Sequence, residues 1–133
     1  MDAHVVWQKE LAFTGSEDSG YAIQLGKEHG GASPLELVLT GLAGCTASDV
    51  ISILQKKRQD VTAFQVHAHA ERAAEHPKVF THVLVEYIIT GRNLELAAAE
   101  RAVELSVTKY CPAINMLNKA VDIQTKITLV PAD

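Results

Sequence analysis

The spacing of apolar positions divides the 133-residue chain into alternating and helical stretches. His4 to Gln8 reads as a strand, and Leu11 to Thr14 as a second, ahead of the turn cluster Gly15-Ser16-Glu17-Asp18-Ser19-Gly20. Tyr21 to Leu25 alternates as a third strand. Gly26 to Gly31 then forms a polar loop, so the start of the chain reads as a small antiparallel meander. A helix start signal follows. Ser33 caps, Pro34 suits the first helical position, and Glu36 completes a Ser-x-x-Glu capping box. From Pro34 to about Gln55 the pattern is apolar all round, with Glu36 the only charge before Asp49, which predicts a helix buried on every face. Gly41 and Gly44 lie inside it, each at a cost of roughly 1 kcal/mol against Ala, so another backbone or a bound group is expected to approach there. Lys56-Lys57-Arg58 ends the helix and complements its dipole.

Val61 to Arg72 alternates again. Phe64, Val66, Ala68 and Ala70 share one face, and Gln65, His67, His69 and Glu71 share the other, wet one. Ala73 to Lys78 is a turn, and Val79 to Thr90 is the returning strand. Asn93 offers a cap for a helix from Leu94 to Tyr110 whose stripe is Leu96, Ala99, Val103, Val107 and Tyr110. Pro112 breaks that helix and restarts a short one over Ala113 to Ala120. Asp122 to Val130 alternates as the last strand. The order β-β-β-α-β-β-α-α-β, without regular βαβ alternation, predicts a single α+β domain over 1–133. So few other elements hardly cover a helix that is apolar on all sides, which points to cover from a partner subunit.

Composition narrows the function. A net charge of −4 argues against nucleic acid or an anionic membrane surface as partner. No wholly apolar run reaches the roughly 18 residues of a membrane span, and the first residues, Met1-Asp2-Ala3-His4-Val5-Val6-Trp7, lack a basic flank and an apolar signal core, so a cytoplasmic location is expected.

Two cysteines, Cys45 and Cys111, stand 66 positions apart, which matches neither a zinc ribbon nor a disulfide framework. Two readings stay open. They are inert thiols acting as small hydrophobes, or a redox pair in which one thiolate is oxidised and the other resolves the sulfenic acid as a disulfide. His67 and His69, two apart on a strand face with His82 or Glu86 as neighbours, carry the only metal-like spacing. No further ligand can be placed, so no metal and no cofactor are expected. Ser48, Ser52 and Ser106 sit in no Gly-x-Ser-x-Gly elbow, and Gly30-Gly31 lacks the phosphate-loop pattern.

Ala32-Ser33-Pro34-Leu35-Glu36-Leu37 leading to Ala43-Gly44-Cys45, then Lys109-Tyr110-Cys111-Pro112, resembles the OsmC and organic-hydroperoxide-resistance family, in its OsmC-like branch. Val50 to Val61 and Phe80-Thr81-His82 resemble that branch too. The resemblance implies an intertwined homodimer with the long cysteine helix at its centre. It also implies thiol-dependent reduction of hydroperoxides, with Cys45 attacking, Cys111 resolving and a dithiol returning the reduced form. Catalytic members carry an Arg in the N-terminal strands and a Glu directly after the helix-start Pro. Here no Arg precedes Arg58, and Leu35 follows the Pro. Lys9 or Lys27 is the candidate substitute cation, without the planar fork of Arg, and Glu36 is the neighbouring acid. The alternative implied by these departures is a protein that binds a small apolar or electrophilic ligand without peroxidase chemistry.

Overall fold

A computed structural model describes residues 1–17 and 20–133. Asp18 and Ser19, part of the predicted turn cluster, lie outside the described residues. The chain forms two compact units, Met1–Leu39 and Thr40–Asp133.

The first unit is the expected meander. Strands β1 (Ala3–Lys9), β2 (Ala12–Glu17) and β3 (Ala22–Leu25) pair antiparallel in that order. Gly15, Ser16 and Glu17, expected in the turn, belong to β2 instead. There they pair with Val5, His4 and Ala3, because ladder hydrogen bonds override the turn preference of small polar residues. The loop after β3 holds one 3-10 turn, Lys27–His29. Gly31 is needed where the chain folds back on β3, since a Cβ there would stand 2.6 Å from the Gln24 carbonyl oxygen. Helix α1 (Pro34–Lys56) begins in this unit and runs into the second.

The second unit is built on a three-stranded sheet of β4 (Asp60–Arg72), β5 (Phe80–Arg92) and β6 (Asp122–Pro131). β4 and β5 form the predicted long hairpin, and β6 returns parallel to β5. The parallel return needs a crossover. It is supplied by α2 (Leu96–Leu105), a π-helical turn (Ser106–Tyr110) and α3 (Pro112–Leu117). β5 is central, so Val83, Val85, Tyr87 and Ile89 are buried along one face. On β4 the alternation holds as read, with Phe64, Val66, Ala68 and Ala70 half-buried opposite an exposed row.

Three expectations are corrected. First, α1 is not buried on every side within this chain. Its buried residues are Leu42, Thr46, Val50 and Leu54, one every fourth position and so a single stripe. Val38 is 45 % exposed, and no atom lies within 4 Å of a Cβ built on Gly41 or Gly44. Second, the buried face of α2 is Ala98, Ala99, Ala102 and Val103, while Leu96 and Tyr110 are 51 % and 50 % exposed. The predicted stripe assumed one regular helix. The π-turn inserts an extra residue and rotates everything beyond Leu105, Tyr110 included, while Leu96 is exposed at the first position of α2. Asn93 is not its cap. It takes a positive φ of 52°, and Glu95 stands at the N-cap, its N–H donating to the Gln59 side-chain oxygen at 2.9 Å. Third, α1 is long and apolar enough to cross a membrane by length and composition, with mean hydropathy 1.7 over 18 residues, because its Gly, Ala, Ser and Thr dilute the charge as well as aliphatic residues do. Its buried stripe carries Thr46 into a polar network, as a core helix does.

Candidate functional site

α1 sets the first half of the site. The Leu42–Thr46–Val50–Leu54 stripe fixes its rotation, which leaves Cys45 half-buried beside Thr46 and puts Asp49 one turn further on the same flank as Cys45. The crossover sets the other half. Pro112 occupies the first turn of α3 as predicted, and Cys111 becomes its N-cap, with its sulfur accepting the Ile114 N–H at 3.4 Å. The π-turn is closed by the Cys111 N–H donating to the Ser106 carbonyl at 2.8 Å. Asn115 clamps it, donating from Nδ2 to the carbonyls of Cys111 at 2.8 Å and Val107 at 3.2 Å.

Cys45 lies near enough to Cys111 to affect its proton. Cys111 is fully buried, Cys45 is partly open, and both are free. Burial pushes the Cys111 thiol up to about 11. The Ile114 N–H opposes this, and Cys45 and Asp49 add to it.

Beside the thiols lies a polar network that the sequence reading did not single out. Thr46 Oγ1 stands 2.7 Å from the Tyr87 hydroxyl and 2.7 Å from Ser106 Oγ. Ser106 Oγ donates to Asp49 Oδ2 at 2.9 Å. Each hydroxyl has one proton and a carboxylate only accepts, so the directions are forced. Ser106 spends its proton on Asp49, Thr46 therefore donates to Ser106, and Tyr87 donates to Thr46. Thr46, Tyr87 and Ser106 are buried, and burial pushes the Tyr87 phenol up to about 12. The signals were a Thr beside Cys45 in an apolar helix and a Tyr amid the buried aliphatics of β5. Nothing in the pattern pairs them, because the residues are 41 and 60 positions apart. Asp49 also lines a groove of about 540 Å³ with Ser48, Ile53, Lys56, Leu105 and Tyr110.

The other predicted residues lie elsewhere. Lys27 Nζ pairs with Glu36 Oε1 at 3.2 Å in the first unit, and Lys9 is at the end of β1, exposed. On the outer face of the second sheet the register sets His67 against Glu86 and Glu71 against His82, with His82 next to Asp122. His82 contacts Glu71 and Asp122 at 3.7 and 3.8 Å, but among the described residues no three His, Cys, Asp or Glu side chains are grouped to hold a metal ion.

A family model described as OsmC-like protein matches residues 26–126, spanning both cysteines and running from before α1 into β6. The chain belongs to the OsmC-like family. It is 46 % identical over 134 residues to Protein YhfA of Escherichia coli strain K12, an alignment covering 99 % of this chain and all of that one. A crystal structure of a hypothetical protein from Aquifex aeolicus VF5 is similar at 27 % identity and TM-score 0.91, over 99 % of this chain and 97 % of that one. An organic hydroperoxide resistance protein, OsmC, from Legionella pneumophila shares the fold at TM-score 0.69 and 20 % identity, covering 96 % and 95 %. The mixed α+β architecture of two sheets and three helices is that of OsmC-like proteins.

Proposed function

We propose that this OsmC-like protein is a thiol-dependent redox enzyme of oxidative-stress defence that reduces organic hydroperoxides in the cytoplasm. The observation that carries it is the nearness of a partly open thiol, Cys45, to a fully buried one, Cys111. The open thiol meets the oxidant: Cys45 attacks the peroxide oxygen, an alcohol leaves, and Cys45 becomes a sulfenic acid. Cys111 then displaces that hydroxyl as water, forming the disulfide, and a small dithiol reduces it. The fold shared with hydroperoxide-resistance proteins supports the reading.

In this scheme Cys45 and Cys111 are the catalytic residues, with Glu36, Lys27 and Lys9 as the candidate accessory groups; Lys27 and Glu36 pair with each other at 3.2 Å. The protein acts as a homodimer. Val5, Val6 and Trp7 of β1 are 60 to 65 % exposed, and the open face of α1 at Val38, Gly41 and Gly44 is apolar, so a second copy has apolar surface to cover. The groove beside Asp49 favours a second reading, binding of a small apolar electrophile without turnover.

The test is consumption of cumene hydroperoxide with dihydrolipoamide as reductant, wild type beside Cys45→Ser and Cys111→Ser. Turnover lost in Cys45→Ser supports the peroxidase. No turnover in wild type, with both thiols titratable, overturns it and leaves ligand binding.

A further inference from the structure

The network beside the thiols joins the two segments that carry them. Thr46 is the neighbour of Cys45 on α1. Ser106 opens the π-turn, and its carbonyl receives the Cys111 N–H. Two hydrogen bonds tie α1 to the π-turn, Thr46 to Ser106 and Ser106 to Asp49. All three hydroxyls of the chain have a single proton order only because it ends on an acceptor with no proton to give. Remove that acceptor and Ser106, Thr46 and Tyr87 fall into several arrangements of similar energy.

We propose that Asp49 is a positioning residue for the thiol pair: by terminating the Tyr87–Thr46–Ser106 chain it holds α1 against the π-turn with Cys45 beside Cys111. This rests on the two thiols being a working pair, and it is independent of which oxidant they meet. Asp49 faces Cys45 on its own helix, Ser106 and Tyr110 on the π-turn, Tyr87 on β5 and Cys111 beyond the turn, with Lys56 and Lys57 further along the groove. None of the groups hydrogen-bonded to Asp49 is a cation, so its role toward them is geometric and acceptor-based rather than that of an ion pair.

The experiment uses the full-length protein and glutathione as both oxidant and reductant. Glutathione disulfide takes two electrons and two protons from the thiols, one S–S bond breaks in it, and one forms between Cys45 and Cys111. The equilibrium constant reads how well the sulfurs are held together. Asp49→Ala lowers it about tenfold, the scale of one lost hydrogen bond to a charged group, and Thr46→Val, which loses a neutral hydrogen bond, about fivefold. Thr46→Ser, which keeps the hydroxyl, stays within about twofold of wild type. The double variant Asp49→Ala/Thr46→Val loses little more than either alone, because both cut one chain. Circular dichroism confirms that each variant is folded. A folded Asp49→Ala within twofold of wild type, additive losses in the double variant, or no Cys45–Cys111 disulfide in wild type overturns the inference. A protein that exchanges with glutathione yet consumes no hydroperoxide overturns the peroxidase and leaves this inference standing.

Discussion

Burial keeps Cys111 and Tyr87 neutral to higher pH than in the unfolded chain, and that makes them a pH-sensitive part of the fold. The Cys111 thiol is raised from 9.0 to about 11 and the Tyr87 phenol from 10.0 to about 12, burial being the largest cause in each. The unfolded chain releases these protons earlier than the folded one. Stability is therefore fully present below about pH 9 and is lost as pH rises toward 12. Urea unfolding at pH 7, 9 and 10.5 is expected to show falling stability across the last two points. Cys111→Ala should flatten the early part of that fall, and an unchanged slope would remove Cys111 as its cause. Tyr87→Phe keeps the ring but takes a proton donor from Thr46. It should cost about 1 to 2 kcal/mol at pH 7, read in the same unfolding experiment.

Among the elements, the π-turn decides where Cys111 sits. A regular helix through Ser106–Tyr110 would rotate all that follows by about 100° per residue removed and carry Cys111 away from α1. Deleting Thr108, exposed on this turn, is expected to leave a folded protein that no longer forms the Cys45–Cys111 disulfide. Mass spectrometry after diamide oxidation checks this, and an intact disulfide would show that the extra residue is not what aligns the sulfurs. α1 poses the complementary case. Gly41 and Gly44 have open space around them within the chain, so Ala at either should add about 1 kcal/mol to an isolated chain through helix propensity.

In the whole molecule the same two glycines separate one assembly from another. If the apolar face of α1 meets a second copy, Gly44→Ala weakens association instead of stabilising the chain, and Trp7→Glu on exposed β1 weakens it further. Sedimentation equilibrium is expected to give twice the 14.4 kDa chain mass for wild type and a shift toward the single chain for both variants. A wild-type protein that sediments as one chain at micromolar concentration would remove the homodimer.

The sequence by itself determined the order of elements, the alternation of β4 and β5, the start of α1 at Pro34 and the restart at Pro112. Each of these is written in local chemistry: period two, period near four, a capping residue, a ring without an N–H. It also marked Cys45 and Cys111 through their flanking residues. Tertiary structure alone decided that β6 runs parallel to β5, that the helix before Cys111 widens into a π-turn, and that one stripe of α1 is covered within the chain. It alone assembled Tyr87, Thr46, Ser106 and Asp49. The reason is physical: a hydroxyl's partner is chosen by what faces it across the core. Along the chain a buried Thr or Tyr reads as one more tolerated residue in an apolar run.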